Sequence, residues 1–187
     1  MNLSQIILYT VRALSFSLAA GILWTLFLHR RKGLMRKLPF VCYLAALIQI
    51  TVIRDWRTLF VFPKGSHTLK TVQLFPLRTT LAELTNGAWP FCFHVIGNMI
   101  WFVPLGILGP ALFSSLRSLR RMILCAACLS ACIELGQWCL ATGVTDIDDV
   151  ILNTAGAVCG FMIWNLLHQR IVTRIVTKRN PEKQVDS

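Results

Sequence analysis

Five apolar runs, separated by two short basic segments, one long connection and one acidic turn, leave this chain few ways to fold. They extend from Ile6 to Leu28, Leu38 to Ile53, Val95 to Phe113, Met122 to Leu140 and Val150 to Leu167. A helix of about 20 apolar residues spans the hydrocarbon core of a bilayer. The chain is 55% hydrophobic and 14% charged, more apolar than the roughly 45–50% of ordinary soluble domains. The expected fold class is therefore all-α, a polytopic membrane helix bundle with about five transmembrane helices. The second run is short for a crossing, so its flanking residues must snorkel or the helix must stand upright.

The net charge of +11 has two common explanations, nucleic acid and the positive-inside bias of membrane proteins. Its distribution favours the second. The basic residues cluster at His29-Arg30-Arg31-Lys32, at Arg36-Lys37, in the loop with Arg117, Arg120 and Arg121, and in the tail with Arg170, Arg174, Lys178, Arg179 and Lys183. No continuous basic face is present, so no nucleic-acid partner is expected; the partner is the lipid bilayer. Cytoplasmic placement of these clusters puts the N-terminus outside and the C-terminus inside. No Lys or Arg precedes the first run, which is broken only by Arg12 near its start and is long for a signal peptide, so it reads as an uncleaved helix. Three regions follow: residues 1–71, with N-terminal membrane helices and the start of a long outer loop; residues 72–167, a membrane domain; and residues 168–187, a basic cytoplasmic tail, partly disordered.

Acids within lipid-compatible sequence need a reason. A charge at a bilayer centre costs at least about 2.5–3.5 kcal/mol, so such groups face protein or water. Glu134 lies within the fourth run, and Asp146-Ile147-Asp148-Asp149 opens the fifth, followed by Asn153. At helical spacing Ser130, Glu134 and Gln137 share one face, opposite a stripe of Cys125, Cys128, Cys132 and Cys139. Cys125-x-x-Cys128 lacks a second pair or nearby His, so the cysteines read as small packing residues, not as a zinc site. A helix beginning near Asp146 would align Asp146, Asp149, Asn153, Gly156 and Gly160, leaving Asp148 on another face. Gly156-x-x-x-Gly160 permits close backbone approach to another helix. In the third run His94, Asn98, Trp101, Phe102, Leu105 and Gly109 share a face, and Pro104 and Pro110 should kink or disturb the helix. The connection from Arg54 to Pro90 contains Leu74-Phe75-Pro76-Leu77-Arg78-Thr79, which reads as a segment lying on or dipping into the interface. With the stated topology all these polar features gather at the outer leaflet, Glu134 about 9 Å inward from the outer end of its helix.

Several roles stay open. Glu134 is a packing acid bonded to Gln137 and Asn98, a proton-carrying or substrate-binding acid, or a catalytic one. The turn acids cap a helix and complement its dipole, or hold a divalent cation, although Asp-x-Asp-Asp lacks calcium-loop spacing. Asn98 and Asn153 should bond across helices, and His94 is interfacial or an acid–base partner of Glu134. No nucleophile elbow, P-loop or dinucleotide fingerprint is present, so no catalytic residue is assigned and enzymatic activity is left undecided. The candidate ligand-binding set is Arg78, Asn98, Glu134, Gln137, Asp146, Asp149 and Asn153, with no metal and no cofactor assigned.

These residues also carry a resemblance. Asn98-Met-Ile-Trp-Phe-Val-Pro104-Leu105-Gly106, Glu134-Leu-Gly-Gln137 and Asp146-Ile-Asp148-Asp149-Val-Ile-Leu-Asn153-Thr-Ala-Gly156, preceded by Phe75-Pro76-Leu77-Arg78, resemble the VanZ-like membrane protein family over residues 72 to 167. The chain departs from the pattern at Thr142-Gly-Val-Thr145, which lacks the basic residue often found before the acidic turn, and at Leu77, where Phe is usual. Without that basic residue, Arg78 is left as the cation for an anionic head group. The resemblance implies a bacterial inner-membrane protein, with some relatives associated with teicoplanin-type glycopeptide resistance. The expected function is binding or handling of a lipid-linked envelope precursor or lipoglycopeptide at the outer leaflet. The alternatives are a proton-coupled transporter or lipid flippase, and a membrane enzyme using the outer carboxylates.

Overall fold

A computed structural model describes residues 11–12, 14–15, 17–23, 26, 32–53, 72–140 and 145–179. The elements in order are α1 (Lys32–Met35), α2 (Leu38–Ile48) continuing as a π-helical turn (Gln49–Ile53), β1 (Val72–Gln73), α3 (Arg78–Asn86), α4 (Ala88–Leu112), a 3-10 turn (Ser114–Leu116), α5 (Leu119–Cys139), β2 (Thr145–Asp146) and α6 (Ile147–Arg179). The fold is all-α apart from one parallel pair of two-residue strands.

Among the described residues, three helices are long and apolar enough to cross a membrane: Ala88–Leu112, Leu119–Cys139 and the Ile147–Ile171 portion of α6. That is fewer than the about five expected from the apolar runs. Leu38–Ile53 forms a shorter apolar helix, as its length foretold. Much of the first run lies outside the described residues; those described within it are helical. Residues 54–71 of the long connection, residues 141–144 before the acidic turn and residues 180–187 of the tail also lie outside them. The start of the tail continues α6 to Arg179.

One boundary differs from the sequence reading for a local reason. α4 begins seven residues before Val95, at Ala88, because Gly87 at φ 125° provides the break that starts it. Pro104 and Pro110 are accommodated within one continuous helix. The Tyr43 hydroxyl donates to the Trp101 carbonyl at 2.9 Å, and Arg117 Nε donates to the Pro110 carbonyl at 3.2 Å. Side chains thus bond to carbonyls in the proline-containing part of the helix.

Close contact between α4 and α6 holds the bundle. A Cβ on Gly156 would lie 2.1 Å from the Met99 carbonyl oxygen, and one on Gly160 would lie 2.1 Å from that of Val103. On the facing helix, a Cβ on Gly106 would lie 2.0 Å from the Ala157 carbonyl oxygen. The small-residue pattern of α6 therefore serves a contact within the chain, where dispersion forces act across two nearly touching backbones. Leu47, Phe102, Leu105, Met122, Ala126, Ile133, Ala157 and Phe161 make the core around it. The outward faces carry apolar residues such as Ile96, Ile100, Leu124, Leu135 and Met162, as suits helices surrounded by lipid. Cys128, Cys132 and Cys139 are exposed while Ser130, Glu134 and Gln137 are buried, so the two stripes of α5 separate as the helical wheel indicates.

Gly156→Ala should cost about 2 kcal/mol or more, because the clash is with backbone and cannot relax by a rotamer change. Gly97→Ala is the control: nothing lies within 4 Å of its Cβ position. It should be neutral or gain up to about 1 kcal/mol from helix propensity. Unfolding of both variants in detergent reads the difference.

Candidate functional site

The acidic turn is built first. Asp146 directly precedes α6, and its Oδ1 accepts the Asp148 amide at 2.9 Å, which is N-cap geometry. The Asp146 amide in turn donates to Glu134 Oε2 at 2.9 Å, and the Thr145 hydroxyl donates to the Glu134 carbonyl at 3.3 Å. Glu134, 3% exposed, thereby ties α5 to the start of α6. β2 pairs with β1 in the register Val72↔Thr145 and Gln73↔Asp146, drawing the Phe75-Pro76-Leu77 segment alongside.

Asp148 anchors that segment. Leu77 sits at φ 65°, a left-handed conformation that costs a non-glycine residue roughly 1–2 kcal/mol. No side chain of α3's own N-terminus caps it. Asp148, 1% exposed, reaches across and accepts the Leu77 amide, the Thr80 amide at 2.9 Å and the Thr80 hydroxyl at 2.9 Å. A carboxylate placed against the free N–H groups of a helix start also benefits from the helix dipole. The angular argument correctly keeps Asp148 off the face of Asp149 and Asn153; it does not reveal that Asp148 caps a helix about 70 residues earlier in the chain. α3 itself exposes Leu81 and Leu84, beside exposed Leu74, Phe75 and Trp89, which is the apolar surface expected of a segment in contact with the bilayer interface.

A polar cavity of about 130 Å³ lies between α2, α4, α5 and α6. Asn98, Glu134, Gln137, Asp149 and Asn153 line it, with Ile50, Thr51, Trp101 and Ile133. Asn98 Nδ2 donates to Asp149 Oδ1 at 2.6 Å, joining α4 to α6. Gln137 Nε2 donates to the Thr51 carbonyl at 3.2 Å, joining α5 to the π-helical turn. Asn153 Nδ2 donates to Ser130 Oγ at 2.8 Å, joining α6 to α5. His94 Nε2 lies 3.8 Å from Asp149 Oδ1.

Five of the seven candidate residues therefore line one cavity. Asp146 and Arg78 do not. Asp146 is committed to the helix cap. Arg78 is exposed at the start of α3, with Nη1 donating to Gln73 Oε1 at 3.4 Å. Glu134 accepts the Asp146 amide, Gln137 donates to the Thr51 carbonyl and Asn98 donates to Asp149. Thr51 and Trp101 are lining residues that sequence reading did not select. Trp101 was legible on the face of Asn98; Thr51 was not, because its place depends on a π-helical turn. Among the described residues no group of three or more His, Cys, Asp or Glu side chains is placed to hold a metal ion.

Comparison with known proteins agrees with this arrangement of motifs. A family model described as VanZ/LLP1 matches residues 40–168. Protein VanZ of Enterococcus faecium is 33% identical over 87 residues, covering 44% of this chain and 53% of that protein. The match thus spans about half the length of that relative. No solved structure matches the chain.

Asp148→Ala would leave the Leu77 amide and the buried Thr80 amide and hydroxyl without their acceptor. It should destabilise the fold by about 3 kcal/mol. Hydrogen exchange should accelerate at the Leu77 and Thr80 amides before it does so in α5, a local signature that separates loss of the cap from general unfolding.

Proposed function

The chain belongs to the VanZ/LLP1 family, and from that premise we propose that it is a bacterial envelope membrane protein whose cavity receives the polar head of a lipid-linked or amphiphilic ligand. The carrying observation is the convergence of Asn98, Glu134, Gln137, Asp149 and Asn153 from three apolar helices on one cavity. Polar side chains of this kind are costly among lipid-facing helices unless they bond to each other or to a ligand. Cavities of roughly 150 Å³ admit a benzene-sized molecule, so this one suits a small head group and not a whole amphiphile. The apolar remainder of the ligand would stay in the bilayer.

The proposed orientation follows the basic residues. Arg117 lies between α4 and α5, and Arg120 and Arg121 lie in the first turn of α5, at the helix ends remote from the acidic turn. With that loop cytoplasmic, the cavity belongs to the outer leaflet of the inner membrane, and the first two apolar runs supply the remaining crossings. Occupying an envelope lipid or a lipoglycopeptide there would alter susceptibility to teicoplanin-type antibiotics. A proton-coupled transporter or flippase is the second reading, and the contact between His94 and Asp149 favours it.

In a susceptible host, expression of the chain should raise the inhibitory concentration of teicoplanin. Asn98→Ala should weaken ligand binding about tenfold or more, from loss of a hydrogen bond to a charged group, and return susceptibility toward the control. Full protection by Asn98→Ala at equal membrane abundance would contradict the binding role. Protection abolished by His94→Gln and by collapse of the pH gradient would favour the transporter.

A further inference from the structure

The short helix α2 changes partner along its length. At its start it leans on the inner end of α4. Lys37 Nζ lies 4.9 Å from the centre of the Phe113 ring, and Phe40 packs edge-on against the same ring at 5.2 Å. The Tyr43 hydroxyl then donates to the Trp101 carbonyl. The π-helical turn that continues α2 leans on α5 instead. Gln137 donates to the Thr51 carbonyl, and a Cβ on Gly136 would lie 3.1 Å from Val52 Cγ1. A π-helical turn breaks the α-helical repeat and so redirects the side chains it carries, a change often found beside functional sites. Beyond the Tyr43 bond α2 therefore turns from α4 toward α5, and a slit opens between the π-helical turn and α4.

Burial of the cavity lining places the mouth at that slit. On the α5 and α6 side Ile133, 4% exposed, and Glu134, Gln137 and Asn153 are buried. Asp149 is half-buried, but its carboxylate accepts from Asn98 and faces His94. On the other side Ile50 and Thr51 are half-buried and Trp101 is 41% exposed. Trp101 lies about 18 Å along α4 from the exposed Trp89, at about 1.5 Å rise per residue. With Trp89 at the interfacial level where tryptophan collects, the mouth lies below the head groups and meets acyl chains, not water. We propose that this slit is a lateral portal, and that the cavity takes a bilayer-resident amphiphile whose chain lies against Ile50 and Trp101. Ile133, deeper in the cavity, suits the carbons next to the head group. The portal rests on the ligand-binding reading above and adds to it the route of entry, the seat of the chain and the exclusion of chain-free ligands.

The test uses the full chain in phosphatidylglycerol nanodiscs and two photoactivated probes, with labelled residues mapped by mass spectrometry. One probe is phosphatidylglycerol with a diazirine on the acyl carbons nearest the head group; the other is a short water-soluble diazirine alcohol. Exposed Leu124, Leu135 and Met162 report ordinary lipid contact and should label with the lipid probe in every variant. Ile133 is the reporter, because a buried residue labels only if the probe enters the cavity. In the parent chain the lipid probe should label Ile133. Ile50→Trp fills the slit and should abolish that label and the teicoplanin protection, while the label at Leu135 persists. Ile50→Phe is the milder obstruction, used if the tryptophan variant does not fold. Ile96→Trp, on the exposed face of α4, should keep both the Ile133 label and protection. Label at Ile133 from the soluble probe alone would overturn the portal and leave a binding cavity open to water. A lipid label at Ile133 that survives obstruction of the slit would put the entrance elsewhere and also overturn the portal. No label at Ile133 from either probe would overturn the portal and the ligand-binding reading together.

Discussion

A carboxylate buried among apolar helices has to find donors, and Asp148 finds three in the first turn of α3. Much of the site depends on that match. It holds the left-handed Leu77, starts α3 without a local cap and fixes the segment beside the acidic turn. Asp146 and Glu134 complete the same junction, one by capping α6 and the other by accepting the Asp146 amide. The turn therefore divides its acids between two tasks. Asp146 and Asp148 bind backbone groups, whereas Asp149 faces the cavity.

The glycine contact between α4 and α6 makes the second task possible. With the two backbones in near contact at Met99 and Gly156, Asn98 on one helix lies within hydrogen-bond reach of Asp149 on the other. One turn further along α6, Asn153 bonds to Ser130 of α5. Close packing and polar convergence are thus two consequences of one helix pairing. Gln137 adds the short helix to the assembly through the Thr51 carbonyl, so the cavity is enclosed by four helical segments.

The sequence carried much of this arrangement because it lies in helical periodicity. The separation of cysteines from Ser130, Glu134 and Gln137, the alignment of Asp149 with Asn153, Gly156 and Gly160, and the placement of Asn98 on its face are angular facts about single helices. What periodicity does not encode is contact between distant segments. The roles of Asp148 and Asp146, the withdrawal of Arg78 from the cavity and the entry of Thr51 each depend on tertiary pairing or on a non-α turn. The helix α3 was hidden for a related reason: its N-terminal cap is supplied from another part of the chain, so the usual local start signal is missing.

The division of labour between neighbouring acids is open to one side-by-side measurement: unfolding temperature and teicoplanin protection for Asp148→Asn and Asp149→Asn in the same membrane preparation. Asp148→Asn should lower the unfolding temperature by several degrees, because an amide places donors against the α3 backbone. Asp149→Asn should keep the unfolding temperature near that of the parent and lose protection. Equal destabilisation by both, with protection following stability alone, would contradict a cavity that acts on a ligand and would leave the whole turn as a structural joint.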